Sequence, residues 1–151
     1  MQIKKTGFTL IELLVVIAII GILATLAVLS LTNARRQARD AKRVSDIRQI
    51  RTALDLYLND KNKYPVQIEN VILGSGNYDI LCDTTAGFQS DEIGCGVTYL
   101  ETVPANQGQG GANYVYSSSA DGGTYFITFN LEGQIGSLTA GDHTANQSNI
   151  Q

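Results

Sequence analysis

Two patterns of apolar spacing divide the first sixty residues. Residues 8–32 read FTLIELLVVIAIIGILATLAVLSLT, a run of 25 residues whose only charge is Glu12. At about 1.5 Å per residue, a helix of that length crosses a hydrocarbon core of ~30 Å. From residue 33 to 60 the apolar positions thin to a stripe, Val44, Ile47, Ile50, Leu54, Tyr57 and Leu58, mostly at steps of three and four and with no Gly or Pro. That spacing predicts an amphipathic helix with one buried face, continuous with the apolar run. Pro65 pushes Tyr64 out of helical geometry and ends it.

Beyond residue 65 the helical period is lost. Residues 113–117 (NYVYS), 124–129 (TYFITF) and 134–138 (QIGSL) are strand signals, separated by turn residues at 121–123 and at Glu132-Gly133. They predict a three-stranded antiparallel meander. Residues 66–96 read as irregular, punctuated by Gly74, Gly76, Gly87, Gly94 and Gly96, and residues 139–151 read as a polar tail that frays. The expected fold class is α+β, a long N-terminal helix, apolar then amphipathic, packed on a small meander head.

Charge sharpens the picture. All eleven Lys and Arg fall between Lys4 and Lys63, and nine of the carboxylates lie between Glu69 and Asp142. The 88 residues after Lys63, acidic and without Lys or Arg, repel phosphate backbones, which argues against nucleic-acid binding by that part. Arg35, Arg36, Arg39, Lys42, Arg43, Arg48 and Arg51 crowd the first turns after the apolar run, offset by Asp40 and Asp46. They form either a solvated helix face near lipid headgroups or cations that meet acidic heads of adjacent subunits. No Walker loop, dinucleotide fingerprint or hydrolase triad is present, so the expectation is a non-enzyme, and the lone His143 reads as a surface residue. Cys82 and Cys95 cannot make a four-ligand zinc site without help; outside the cytoplasm they read as a disulfide, with two free thiols as the alternative.

Glu12 is the anomaly. A charged side chain at mid-membrane costs ~2.5–3.5 kcal/mol on insertion scales, so it needs a partner. Cleavage between Gly7 and Phe8 would supply one, since the new α-amino group lies four residues before it. Lys4 and Lys5 on the short leading side argue for a cytoplasmic N-terminus. Ala18, Gly21 and Thr25 fall on one side of the helix, where small residues permit close helix approach or reflect ordinary membrane composition.

Lys4-Lys5-Thr6-Gly7 followed by Phe8-Thr9-Leu10-Ile11-Glu12-Leu13 resembles the signal of type IV prepilins and type II secretion pseudopilins. The resemblance implies that a membrane-embedded peptidase cuts after Gly7 and N-methylates Phe8. It also implies that Glu12 neutralises a neighbouring subunit's N-terminus during assembly, the alternative being its own. Ala53, Leu54, Tyr57, Asp60, Tyr64 and Pro65 match the helix-to-head junction of the major pseudopilin, extending the resemblance through residue 65. Unlike many members, this run has no Pro, and Gly21 is its only helix breaker.

The division that follows is leader 1–7, membrane segment 8–32, amphipathic continuation 33–60, head 61–138 and polar tail 139–151. The family's calcium site in the head makes Asp121, Glu132 and Asp142 candidate ligands here. The implied partners are further copies in a filament, the processing peptidase and methyltransferase, and an assembly-platform membrane protein driven by a separate ATPase. The implied location is the cytoplasmic membrane with the head outside. A different class of function is a single-pass tethered binding domain that never polymerises.

Overall fold

The computed structural model describes residues 7–106 and 111–151 and divides into two units, Met1–Arg36 and Gln37–Gln151. A single helix α1 (Leu10–Lys61) enters both. The seven strands that follow are β1 (Val71–Ile72), β2 (Ile80–Cys82), β3 (Phe88–Gln89), β4 (Thr98–Leu100), β5 (Val115–Ser118), β6 (Tyr125–Leu131) and β7 (Gly141–Ala145). The class is α+β, as the sequence periods imply.

In the first unit α1 buries nothing against protein. Its large apolar side chains stand between 44% and 81% exposed, and an 18-residue stretch reaches a mean hydropathy of 3.0. By length and composition it can cross a membrane. The two threonines inside this stretch satisfy themselves: Thr25 Oγ1 donates to Ile22 O at 2.8 Å and Thr32 Oγ1 to Leu29 O at 2.9 Å. Such back-bonding removes the cost of carrying a hydroxyl into hydrocarbon. The helix runs through Gly21 without a break.

In the second unit the amphipathic stripe is buried as its spacing requires. Val44, Ile47, Ile50, Leu54 and Tyr57 are 0–5% exposed. They share one core with alternate residues of β6, where Tyr125, Ile127, Phe129 and Leu131 are buried while Phe126 and Thr128 face outward. Each such aliphatic side chain contributes ~1.5–3 kcal/mol on burial. The helix stops at Asn62, whose φ of 55° is the left-handed conformation that Asn tolerates, with its N–H returned to Leu58 O at 2.7 Å. The chain then docks on the β5–β6 turn, Tyr64 N donating to Gly122 O at 2.8 Å. Gly122 has φ 71°, and a Cβ there would stand 2.8 Å from Tyr64 O, so both conformation and space demand glycine.

The sheets differ from the expected meander in three respects. The larger sheet has the order β1-β5-β6-β7, all antiparallel, and its last strand is β7 rather than residues 134–138, which hold only an Ile135–Leu138 bridge. The segment expected to fray is therefore structured: five residues of β7 pair with β6, and Thr144 exchanges backbone hydrogen bonds with Gln151 at 2.8 and 3.0 Å. The stretch expected to be irregular contains β1, β2 and β3, and the latter two join β4 in a second antiparallel sheet of order β3-β2-β4.

Cys82 and Cys95 are bridged, with Cα atoms 5.7 Å apart, closing a loop onto the second sheet. Replacing both by serine is expected to lower the unfolding free energy of the head by about 3 kcal/mol, the chain-entropy value for a loop of roughly this length. Denaturant titration checks this, and an unchanged midpoint would exclude a structural role for the bridge.

Candidate functional site

The N-terminal site is built around the start of α1. Gly7 and Phe8 precede the helix in non-helical conformation, and Phe8 is 80% exposed, so the Gly7–Phe8 bond is open to an enzyme. Residues 1–6, with Lys4 and Lys5, lie outside the described residues. Glu12 is not idle in the uncut chain. Its Oε2 accepts from Thr9 N at 2.9 Å and from Thr9 Oγ1 at 2.6 Å, while Glu12 N faces Thr9 Oγ1 at 3.3 Å. This is a capping box, in which Thr9 and Glu12 satisfy helix-start donors that lipid could not. The T-x-x-E spacing before an apolar run carried that signal, and the reading of Glu12 as a bare charge missed it. One carboxylate thus starts the helix and stands four residues from the Phe8 nitrogen.

A second constellation lies where α1 enters the head. Arg43 is 2% exposed and Asp40 1%. Arg43 donates through its NH1 to Asp40 Oδ1 at 2.6 Å and Glu132 Oε1 at 2.8 Å, and through Nε to Asn106 Oδ1 at 3.2 Å. Arg39 holds both oxygens of Glu132, at 2.8 and 2.5 Å. Asp40 in turn accepts from the backbone N–H groups of Glu132 at 3.0 Å and Gly133 at 2.8 Å. Beside it, Asp46 takes Lys42 at 3.0 Å and the buried Tyr114 hydroxyl at 3.0 Å. Arg39, Lys42 and Arg43 are therefore committed within their own chain. Arg35, Arg36 and Arg48 are exposed and make no ion pair among the described residues.

This cluster revises the reading of the acidic head residues. Glu132 is an ion-pair partner, its carboxyl drawn down to about 2 by the hydrogen bonds from Arg39 and then by those from Arg43. Asp121 sits in the turn before β6, bonded to Gly123 N at 3.0 Å, whereas Glu132 follows the far end of that strand. Asp142, on β7, accepts from Asn130 at 2.8 Å. Asp121, Glu132 and Asp142 thus each have a partner of their own, and no group of three His, Cys, Asp or Glu suited to a metal occurs among the described residues. His143 is buried rather than superficial. It packs on Phe129 with ring centroids 5.6 Å apart, its Nε2 lying 2.7 Å from Thr139 O.

Residues 3–28 match the prokaryotic N-terminal methylation motif, the prepilin-type signal of type IV pilins and pseudopilins. The match spans residues 3–7, the Gly7–Phe8 junction, Glu12 and most of the apolar run, so the chain carries that signal on a helix suited to anchoring in a membrane. No curated protein and no solved structure matches the chain.

Two outcomes follow for the charge cluster. Arg43→Ala should destabilise the head by ~3–5 kcal/mol in denaturant, because it leaves the buried Asp40 carboxylate without its cation. The folded-state value of Glu132 lies below the ordinary 4.5, so its contribution is complete above about pH 4.5 and lost as pH falls from there through about 2. Glu132→Gln should flatten the fall of the urea midpoint across that window; equal slopes in both proteins would assign the acid sensitivity elsewhere.

Proposed function

We propose that this chain is a structural filament subunit. It is cleaved between Gly7 and Phe8, N-methylated on Phe8, and polymerised into a type II secretion pseudopilus or a type IV pilus-like fibre. The observation that carries the reading is the match of residues 3–28 to the methylation motif, with Glu12 held at the start of an otherwise uncharged, lipid-length helix. The chemistry fits. Cutting after Gly7 creates a cation on Phe8, and in an assembled core each such cation needs a counter-charge. Glu12 of a neighbouring copy is the acid available in that apolar stretch.

The partners follow from this scheme: further copies of the chain, a peptidase and methyltransferase at Gly7 and Phe8, and a platform protein with its own ATPase. The anchor sits in the cytoplasmic membrane with the head on the far side. The stem carries more Lys and Arg than the leader, but the positive-inside count applies to short loops, and folded domains of this size cross largely regardless of charge. Between the two fibre types, Ala53, Leu54, Tyr57, Asp60, Tyr64 and Pro65 at the helix-to-head junction favour the pseudopilus. Tyr57 and Tyr64 are 0% and 3% exposed, so this junction belongs to the head's core.

Intact mass of the filament-fraction protein should correspond to a chain starting at Phe8 with one added methyl group; a subunit starting at Met1 would overturn the scheme. Glu12→Gln should preserve the capping box, membrane insertion and leader cleavage, since Gln also serves at that position, yet abolish or severely reduce sheared filaments. An uncompensated buried charge costs ~3–5 kcal/mol, incurred at every subunit added. Normal filament yield from Glu12→Gln would remove the assembly role of the charge.

A further inference from the structure

Several apolar side chains of the head are left uncovered by its own fold. Ile93 is 81% exposed and Val97 51%, and on α1 Leu56 is 50% exposed; Leu56, Val97 and Tyr99 line one open groove with Asp60. Ile93 is not on a free strand of chain. The Cys82–Cys95 bridge closes its loop, and Gln89 Nε2 lies 2.8 Å from Asp91 O, 3.3 Å from Ile93 O and 2.8 Å from Cys95 Sγ. Cys95 N donates to Glu92 O at 3.1 Å, and Ile93 N to Asp91 Oδ1 at 3.0 Å. A loop backbone held in place has already lost freedom that binding would otherwise have to remove.

The charge around this face points to what covers it. Asp91 and Glu92 immediately precede Ile93, both exposed, and no Lys or Arg occurs after Lys63. The nearby Lys61 lies 3.7 Å from Asp83. Asp91 and Glu92 have no ion-pair partner among the described residues, so the complement is free to come from another molecule. The chain itself has it: Arg35 and Arg36 are exposed without an ion pair among the described residues, and they follow Leu29 and Leu31, which are 63% and 50% exposed. An apolar stretch ending in two cations matches an apolar surface preceded by two carboxylates.

We propose that the Ile93 and Val97 face, with Asp91 and Glu92, is the docking surface for residues 29–36 of a second copy of this chain. The inference rests on the filament reading above and names one of its contacts. The bridge then has a role beyond stability, since it fixes Ile93 and its two acids in the orientation that a neighbour meets.

The test uses the full chain in cells that assemble the fibre. Asp91→Lys with Glu92→Lys should lower the sheared-filament yield about tenfold or more, since like charges at a contact cost several kcal/mol, while leader cleavage and the Cys82–Cys95 bridge stay intact. Adding Arg35→Glu and Arg36→Glu should restore most of that yield. A photo-crosslinking side chain at position 93 should capture a second copy within residues 29–36, read by peptide mass. Unchanged yield after the acid reversal, loss that the arginine reversal does not rescue, or capture at another segment would each overturn the contact. If the wild-type chain forms no filament, the filament reading itself falls, an outcome distinct from these three.

Discussion

The head depends on four charges placed together inside it. Asp40, Arg43 and Glu132, with Arg39 at the rim, bring two cations and two anions into a site where Arg43 is 2% and Asp40 1% exposed. Removing such groups from water is costly, and mutual attraction compensates only when every remaining lone pair and proton also finds a partner. Here the partners are found. Arg43 reaches Asn106 as well as two carboxylates, and Asp40 receives two backbone N–H groups. Those N–H groups belong to the chain leaving β6, so the cluster fixes where that strand ends relative to α1. The alternation that buries Tyr125, Ile127 and Phe129 follows from that placement.

The two units divide the chemistry. Residues up to Arg36 carry the processing signal and an apolar helix whose hydrogen bonds are closed within itself, including the Thr9–Glu12 cap and the threonine back-bonds. Residues from Gln37 onward hold a protein core with aromatic contacts such as Tyr64–Tyr125 at 4.6 Å and Phe88–Tyr116 at 5.1 Å. The first part therefore takes its stability from the solvent it is placed in, and the second from its own packing. The head's stability is therefore independent of the medium around the apolar helix.

Much of this was legible from spacing. The stripe Val44, Ile47, Ile50, Leu54 and Tyr57 is buried because a period near 3.6 keeps one face toward a partner. Strands β5 and β6 were readable from their aromatic and β-branched residues between turn signals. Strand β7 was not, because Gly-Asp-His-Thr-Ala lacks an apolar period and becomes a strand only through the ladder that β6 offers. Two-residue strands such as β1 and β3 carry too little pattern to register. The burial of Arg43 was invisible for a different reason: a cation on a charge-rich helix face looks solvated, and Glu132 lies 89 residues away. At the N-terminus the cleavage junction and Glu12 could be read directly, whereas the capping box needed Thr9 and Glu12 to be considered as a pair.

The bonds from Glu132 and Gly133 to Asp40 span 92 and 93 residues. Contacts of such separation cannot form while a chain is still emerging, since the loop between them must first exist. During synthesis, Asp40 and Arg43 therefore remain hydrated until nearly the whole head has appeared. The stem's inner charges then change from a solvated, repelling set to a closed one late in the process. Folding of the head is in this sense a completion signal: a chain truncated before residue 132 lacks the groups that close the cluster, and Asp40 and Arg43 keep only each other.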